Sequence, residues 1–218
     1  PDTEEIETVN LQVAWKPSPQ TWLSVCGFVS RIDKHILEDP YAGLFLPNRQ
    51  NIKGVEIEGR YSPAKSLDLS ANLTLLYNDG PSETYHWNDF NFVRPDGTVV
   101  KHFTDLTYPY DRGAGNLFNL TGTWRPVESL TAFSRLGYFS SRNLIFPQLV
   151  FPRNAEIISV PGVWLLDMST TIRDIGIPGL DLEVSVRNLL DRDYDTPGTY
   201  SLIKGDPATL WVGLRKRW

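Results

Sequence analysis

Cysteine, methionine and histidine are scarce in this 218-residue chain, which holds 1, 1 and 3 of them. A single cysteine, Cys26, excludes an internal disulfide and any metal site built from clustered thiolates. On a strand such a residue is a small apolar side chain rather than a reactive one. The histidines, His35, His86 and His102, have no partner at a ligand spacing such as H-x-x-x-H, and all three fall in segments expected to be loops. No G-x-S-x-G and no glycine loop for a phosphate or dinucleotide occurs. The sequence therefore points to no catalytic constellation, and the chain is expected not to be an enzyme. Cations are also outnumbered, with 21 Lys and Arg against 26 Asp and Glu and a net charge of −5. Without a basic stripe to follow phosphates, nucleic acid is not an expected partner. Long hydrophobic runs are missing too: nothing approaches the ~18 consecutive apolar residues of a transmembrane helix. The opening PDTEEIETVN has neither the basic nor the apolar region of a secretory leader, and Met168 is the single methionine. The expectation is a segment of a longer protein.

Aromatic residues, by contrast, are plentiful, at 7 Trp, 9 Tyr and 10 Phe. They suit strands, membrane interfaces and surfaces that bind sugars or chelates. The apolar pattern repeats every second residue, as a strand requires. Val9, Leu11, Val13 and Trp15 alternate with Asn10, Gln12 and Lys16, and Val55, Ile57 and Tyr61 with Glu56, Glu58 and Arg60. Leu67, Leu69, Ala71, Leu73, Leu75 and Tyr77 form one long face against Asp68, Ser70, Asn72 and Thr74. The pattern recurs at Phe118, Leu120, Trp124, at Trp164, Leu166, Met168, Ile172, and at Leu182, Val184, Val186. It ends at Leu210, Val212 and Leu214, which alternate with Gly213, Arg215 and Arg217. Segments 21–32 and 130–141 alternate less cleanly.

These segments amount to about nine strands of about 10 residues, the length a tilted strand needs to cross a bilayer. Short turns at KPSPQ, SPAKS, RPVES and DIGIPG alternate with long connections at 33–50, 79–112, 143–160 and 191–206. Such asymmetry is the habit of a transmembrane β-barrel, whereas a soluble sandwich needs only the alternation. Polarity leaves the choice open, because charged residues opposite the apolar face satisfy solvation either in bulk water or in a barrel lumen. Trp15, Trp22, Tyr61, Tyr77, Trp124, Trp164 and Trp218 lie near strand ends, as interfacial girdles do.

Three motifs carry a resemblance to a known family. NIKGVEIEGRYSP followed by LDLSANLTLLYND resembles the mid-barrel hairpin of TonB-dependent outer-membrane receptors. LEVSVRNLLDRDYDTPG resembles their penultimate strand, and TLWVGLRKRW their last strand, which ends on an aromatic. The resemblance implies an all-β fold: an antiparallel transmembrane β-barrel of about 22 strands, of which residues 1–218 would supply about the last nine. The plug domain and the first half of the barrel would lie outside this chain. It also implies energised uptake of a scarce ligand through the outer membrane of a Gram-negative bacterium, with a ferric siderophore as the first candidate. Cobalamin, another metal chelate or an oligosaccharide stay open. Two rivals of other classes are a soluble carbohydrate-binding β-sandwich and an outer-membrane barrel hydrolase.

The implied partners are a ferric chelate or similar small ligand, outer-membrane lipid and lipopolysaccharide, TonB through the missing N-terminal part, and the barrel-insertion machinery through the last strand. No cofactor is implied. The candidate ligand contacts are Tyr85, Trp87, Phe90, Phe92, Phe103, Tyr108 and Tyr110 with Arg94, and Arg142 and Arg153 of a second aromatic loop. Aromatic faces beside cations suit a flat anionic chelate through stacking and cation–π contact. Leu210, Val212, Leu214 and Trp218 form the candidate insertion signal. Lys216 departs from it, lying on their face where an apolar residue is usual. DRDYD, with Asp191, Asp193 and Asp195, lacks the glycine and distal glutamate of a calcium loop and is expected to be a structural turn. The NLT triplets at Asn72 and Asn119 match a glycosylation acceptor but lie in expected strands.

Overall fold

The computed structural model describes residues 5–38, 45–78, 83–108, 115–147, 155–197 and 202–217. Nine strands form one antiparallel sheet: β1 (Glu5–Ser18), β2 (Thr21–Glu38), β3 (Phe45–Ala64), β4 (Leu67–Asn78), β7 (Asn116–Val127), β8 (Leu130–Phe139), β11 (Val163–Ile172), β12 (Leu180–Arg187) and β15 (Thr209–Lys216). Each pairs with its neighbour in chain order, so the sheet is an uninterrupted meander. Three hairpins interrupt the sequence without entering the sheet: β5 (Glu83–Val93) with β6 (Val99–Tyr108), β9 (Arg142–Pro147) with β10 (Ala155–Val160), and β13 (Asp195–Pro197) with β14 (Leu202–Lys204). All three stand at the end opposite the short turns. Segments expected to be long loops are thus partly hairpins, and His35, His86 and His102 lie in β2, β5 and β6.

Register sorts the side chains onto two faces. One face carries Val9, Leu11, Val13 and Trp15 of β1, Leu23, Val25 and Val29 of β2, Val55, Ile57 and Tyr61 of β3, and the Leu67–Tyr77 set of β4. It continues through Phe118, Leu120 and Trp124, Leu136 and Tyr138, Trp164, Leu166 and Met168, Val184 and Val186, and ends at Leu210, Val212 and Leu214. No second layer covers this face among the described residues. Among the described residues the one buried hydrophobic side chain is Val160 of β10, outside this sheet, while on the face itself Val9 is 76% exposed and Leu214 68%. A soluble sandwich buries such a face against a second sheet, whereas the outward side of a barrel wall stays uncovered by protein.

Aromatics bound it at both ends. Near the short turns stand Trp15, Tyr61 and Trp124, each followed by a residue and a proline: Trp15-Lys16-Pro17, Tyr61-Ser62-Pro63 and Trp124-Arg125-Pro126. Proline cannot donate to the ladder, and the register shifts across each triplet, between Trp15 and Ser18, Tyr61 and Ala64, and Trp124 and Val127. Towards the hairpin end, Tyr77 and the cluster Phe118, Tyr138 and Trp164 form the other belt. The Tyr138 and Trp164 rings are 4.6 Å apart, and Phe118 meets Trp164 edge-on at 5.9 Å. Trp22 departs from the girdle expectation. It sits on the opposite, polar face, where the Arg60 guanidinium stacks on its ring at 5.3 Å.

The polar face is a lattice of side-chain bonds. Asp68 accepts from Arg125 at 2.6 Å and from Ser62 at 2.8 Å, and Glu58 accepts from Arg60 at 2.9 Å. Asn119 donates to Asn72 at 3.1 Å and accepts from Arg135 at 3.1 Å. Both NLT asparagines are therefore strand residues bonded to each other across β4 and β7. Polar groups pair along the lumen-facing side as the outward side remains apolar, the division a barrel wall requires.

Candidate ligand-facing loops and the closing strand

The hairpin of β5 and β6 turns at Arg94-Pro95-Asp96-Gly97. The Arg94 N–H donates to the Thr98 carbonyl and the Gly97 N–H to the Arg94 carbonyl, both at 2.9 Å. Gly97 has φ +84°, the left-handed conformation that closes a three-residue hairpin loop. Asp96 Oδ1 accepts the Thr98 N–H at 2.9 Å, and that backbone bond, helped by the Thr98 hydroxyl, holds the Asp96 carboxyl below its usual range. Below the turn, the register shifts between Asn88 and Phe90. That bulge changes the phase of β5, so positions 85, 87, 90 and 92 share one face of the hairpin; without it 85 and 87 would oppose 90 and 92. Position 108 falls on the same side and position 103 on the other. Phe92 is exposed near the tip.

Arg142 begins β9 opposite Val160, its Nε buried with no hydrogen-bond partner among the described residues. Tyr110 and Arg153 lie outside the described residues. The structure thus brings Tyr85, Trp87, Phe90, Phe92 and Tyr108 onto one hairpin face by register, and places Arg94 at the turn and Arg142 on a separate hairpin.

Where β12 ends, a residue that the sequence reading passed over organises the chain. Asn188 is 3% exposed, with φ +47°. Its Nδ2 donates to the carbonyls of Arg192 at 2.9 Å and Asp206 at 3.0 Å, and its Oδ1 accepts the Arg192 N–H at 3.0 Å. Its own N–H donates to Asp167 at 3.0 Å. Asp191, at φ +46°, accepts the Ala208 N–H at 2.9 Å. The aspartates that look like a cation loop are tied otherwise: Lys204 Nζ lies 3.0 Å from Asp193 and 3.2 Å from Asp195. The pair, Asp193 first, raises the Lys204 pKa above the lysine value. DRDYD is a structural turn that delivers the chain to β15.

β15 presents Leu210, Val212 and Leu214 outward, in register with Val186, Val184 and Leu182. Trp218 lies outside the described residues. At the turn end, Arg217 clamps the strand: Nε bonds Asp181 at 2.9 Å and Nη2 bonds Asp174 at 3.1 Å. Those carboxylates, Asp181 first, raise the Arg217 pKa. The Arg217 N–H also donates to the Gly179 carbonyl at 2.7 Å. Lys216, the odd cation on the outward face, folds its ammonium onto the Pro178 carbonyl at 2.6 Å, so its stem stays with the apolar row and its charge leaves it. On the opposite side the Trp211 ring covers Gly213, filling the space that a side chain would need.

No protein-family profile matches the chain, and no curated protein does at a significant level. Solved structures do. The ferripyoverdine receptor of the outer membrane of Pseudomonas aeruginosa, bound to ferripyoverdine, matches 97% of this chain with a TM-score of 0.69 at 16% identity. The fold is that of an outer-membrane receptor barrel. The ferric-catecholate import receptor Fiu of Escherichia coli K12 aligns over 98% with a TM-score of 0.65 at 15% identity. The FrpB iron transporter of Neisseria meningitidis aligns over 98% with a TM-score of 0.67 at 12% identity. The chain spans 27%, 27% and 31% of those receptors' own lengths. At such identities the likeness speaks for the receptor-barrel fold alone, and the nine-strand meander is one stretch of that wall.

Proposed function

We infer that residues 1–218 are the C-terminal part of the barrel of a TonB-dependent receptor in the outer membrane of a Gram-negative bacterium. The observation that carries this reading is the uncovered apolar face between two aromatic belts, backed by a bonded polar face, on a meander that receptor barrels share. In this reading the short turns face the periplasm and the hairpins face outside. The segment contributes wall, part of the external binding surface and the closing strand, while a plug domain and the TonB-contacting segment lie elsewhere in the full protein. No covalent step is required of these residues, and the work is binding and passage.

A ferric siderophore is the ligand class this reading favours. Of the similar receptors, one is bound to ferripyoverdine and another imports ferric catecholates. In this chain the shared face of positions 85, 87, 90, 92 and 108 would offer aromatic stacking, with Arg94, Arg142 and Arg153 as cations and Tyr110 as a further aromatic, while Phe103 would serve from the hairpin's other side. Leu210, Val212, Leu214 and Trp218 would be read by the insertion machinery. The test is deletion of the whole gene in its host. Uptake of radiolabelled ferric siderophore under iron limitation is expected to fall and to return with the full-length gene but not with Trp87→Ala/Phe90→Ala. Unchanged uptake after deletion would reject the iron ligand, and a product absent from the outer-membrane fraction would reject the receptor reading itself.

A further inference from the structure

The strands that run towards the short turns, β1, β3, β7, β11 and β15, reach their last outward positions at Trp15, Tyr61, Trp124, Ile172 and Lys216. The next residue on each is Lys16, Ser62, Arg125, Arg173 and Arg217. Where the cations lapse, at Ser62, the turn that follows supplies Lys65. Positive charge thus recurs along this rim although the chain carries a net charge of −5. Of the acids at this end, Asp68 is taken up by Arg125, and Asp174 and Asp181 by Arg217, which leaves Glu128 of the third turn. Lys16 and Lys65 make no side-chain hydrogen bond or ion pair among the described residues, and Arg173 has only the field of Asp181.

Backbone bonds fasten each turn to the next. The Ser62 N–H donates to the Gln20 carbonyl at 2.9 Å, and those of Arg125, Arg173 and Arg217 donate to the carbonyls of Ser66, Ser129 and Gly179, each at 2.7 Å. The residues that carry the charges are therefore themselves the links, and prolines at 17, 19, 63, 126 and 178 stiffen the turns between them. Neighbouring strands lie ~4.8 Å apart, so positions on every second strand recur at about 10 Å. A small anion needs cations that converge on it. A row of single cations at this pitch suits a polymer whose negative groups repeat, and a row already fixed binds without an ordering cost.

The side of the wall narrows the choice of polymer. Arg125 and Arg217 reach Asp68 and Asp181 on the polar face, so the series stands on the lumen side, beyond the girdle of Trp15, Tyr61 and Trp124. Lipid phosphates meet the opposite side of the wall, and the anion must come from the aqueous space at the turn end.

We propose that this rim docks a carboxylate-bearing polymer of the periplasm, the peptide stems of the cell wall, with Lys16, Lys65 and Arg173 as its contacts. The assignment rests on the outer-membrane reading above, which turns the short connections towards the periplasm. The experiment uses the full-length receptor, purified in detergent and sedimented with cell-wall sacculi, with sacculi stripped of their peptide stems by an amidase, or with intact sacculi and short-chain phosphatidylglycerol as competitor. Wild type, Lys16→Arg/Lys65→Arg and the hairpin-end control Lys101→Glu are expected to sediment alike. Lys16→Glu/Lys65→Glu should lose about tenfold or more in apparent affinity and Arg173→Gln about threefold, the size of exposed ion pairs. Raised salt should bring wild type down to the level of the double variant, because exposed charges are screened. Stripped sacculi should bind wild type as weakly as intact ones bind Lys16→Glu/Lys65→Glu.

Heat-modifiable gel migration confirms that each variant forms a barrel. Equal sedimentation of wild type and Lys16→Glu/Lys65→Glu, equal binding to stripped sacculi, or no binding to sacculi at all overturns the proposal. Displacement by phosphatidylglycerol overturns it in favour of a lipid headgroup. A full-length product absent from the outer-membrane fraction overturns the receptor reading instead.

Discussion

Replacing Asn188 by alanine removes the three side-chain hydrogen bonds that gather Arg192 and Asp206 beneath the end of β12. At about 1 kcal/mol net for each bond, the loss is about 3 kcal/mol. Alanine must also hold φ +47°, a conformation that costs a residue with a Cβ about 1 kcal/mol more than glycine. Asn188→Ala should therefore destabilise this turn by about 4 kcal/mol and Asn188→Gly by about 3 kcal/mol. Asn188→Asp keeps the acceptor for the Arg192 N–H but turns both donations to carbonyls into repulsions, and belongs with the severe variants.

The readout is local, because the turn can open without the sheet. Hydrogen exchange at the Arg192 and Ala208 amides of the full-length protein should accelerate by about a thousandfold in Asn188→Ala and about a hundredfold in Asn188→Gly. Amides of β3 and β4 should be unmoved. If Arg192 exchanges at the wild-type rate in Asn188→Ala, the bonds do not hold the turn. If alanine and glycine behave alike, the backbone conformation is not part of the cost.

Three further outcomes follow from the faces, the hairpin turn and the clamp. Leu120 lies mid-strand on the outward face, so Leu120→Arg should cost about 2–4 kcal/mol in urea unfolding from lipid vesicles, while Thr121→Arg, one residue on and facing the polar side, should cost far less. Equal costs would reverse or abolish the face assignment. Asp96 is held below its usual carboxylate range of 3.8 in the folded hairpin, so its contribution is present above that value and is lost as pH falls through the lower folded one. Exchange protection of the Thr98 amide should be flat above about pH 5 and decline below about pH 4, and Asp96→Asn should remove that decline. At the closing strand, Arg217→Ala or Asp181→Asn should lower the fraction of heat-modifiable barrel, and the exchanged pair Arg217→Asp/Asp181→Arg should recover part of it; no change in any of the three would mean that the clamp is decorative.

The strands were legible because alternation leaves its mark on composition at every second residue. The turns were legible too, since proline, glycine and aspartate have few other uses in series. Less legible was the phase at irregularities. One extra residue between Asn88 and Phe90 decides whether Trp87 and Phe90 share a face, and no periodicity announces it. The same holds for Trp22: near a strand end it reads as a girdle residue, yet the pairing of Thr21 with Tyr61 places it one step out of phase, against Arg60. A signal was nevertheless present in the aromatic-x-Pro triplets at residues 15, 61 and 124, which mark outward aromatics at the turn end of alternate strands. Trp22 belongs to no such triplet.

Polar anchoring was the least visible, because Asn188 and Arg217 act through partners far along the chain and neither residue type declares its role alone. Lys216 is the instructive case. By period it should be apolar, and by that rule it breaks the last strand's outward row. Its bond to the Pro178 carbonyl shows that the β11–β12 turn, through the same segment that Arg217 clamps, gives the charge somewhere to go. The closing strand can therefore end in Arg-Lys-Arg without placing a charge in lipid: two of these cations are drawn to the turn of the neighbouring hairpin, and Arg215 lies on the polar face.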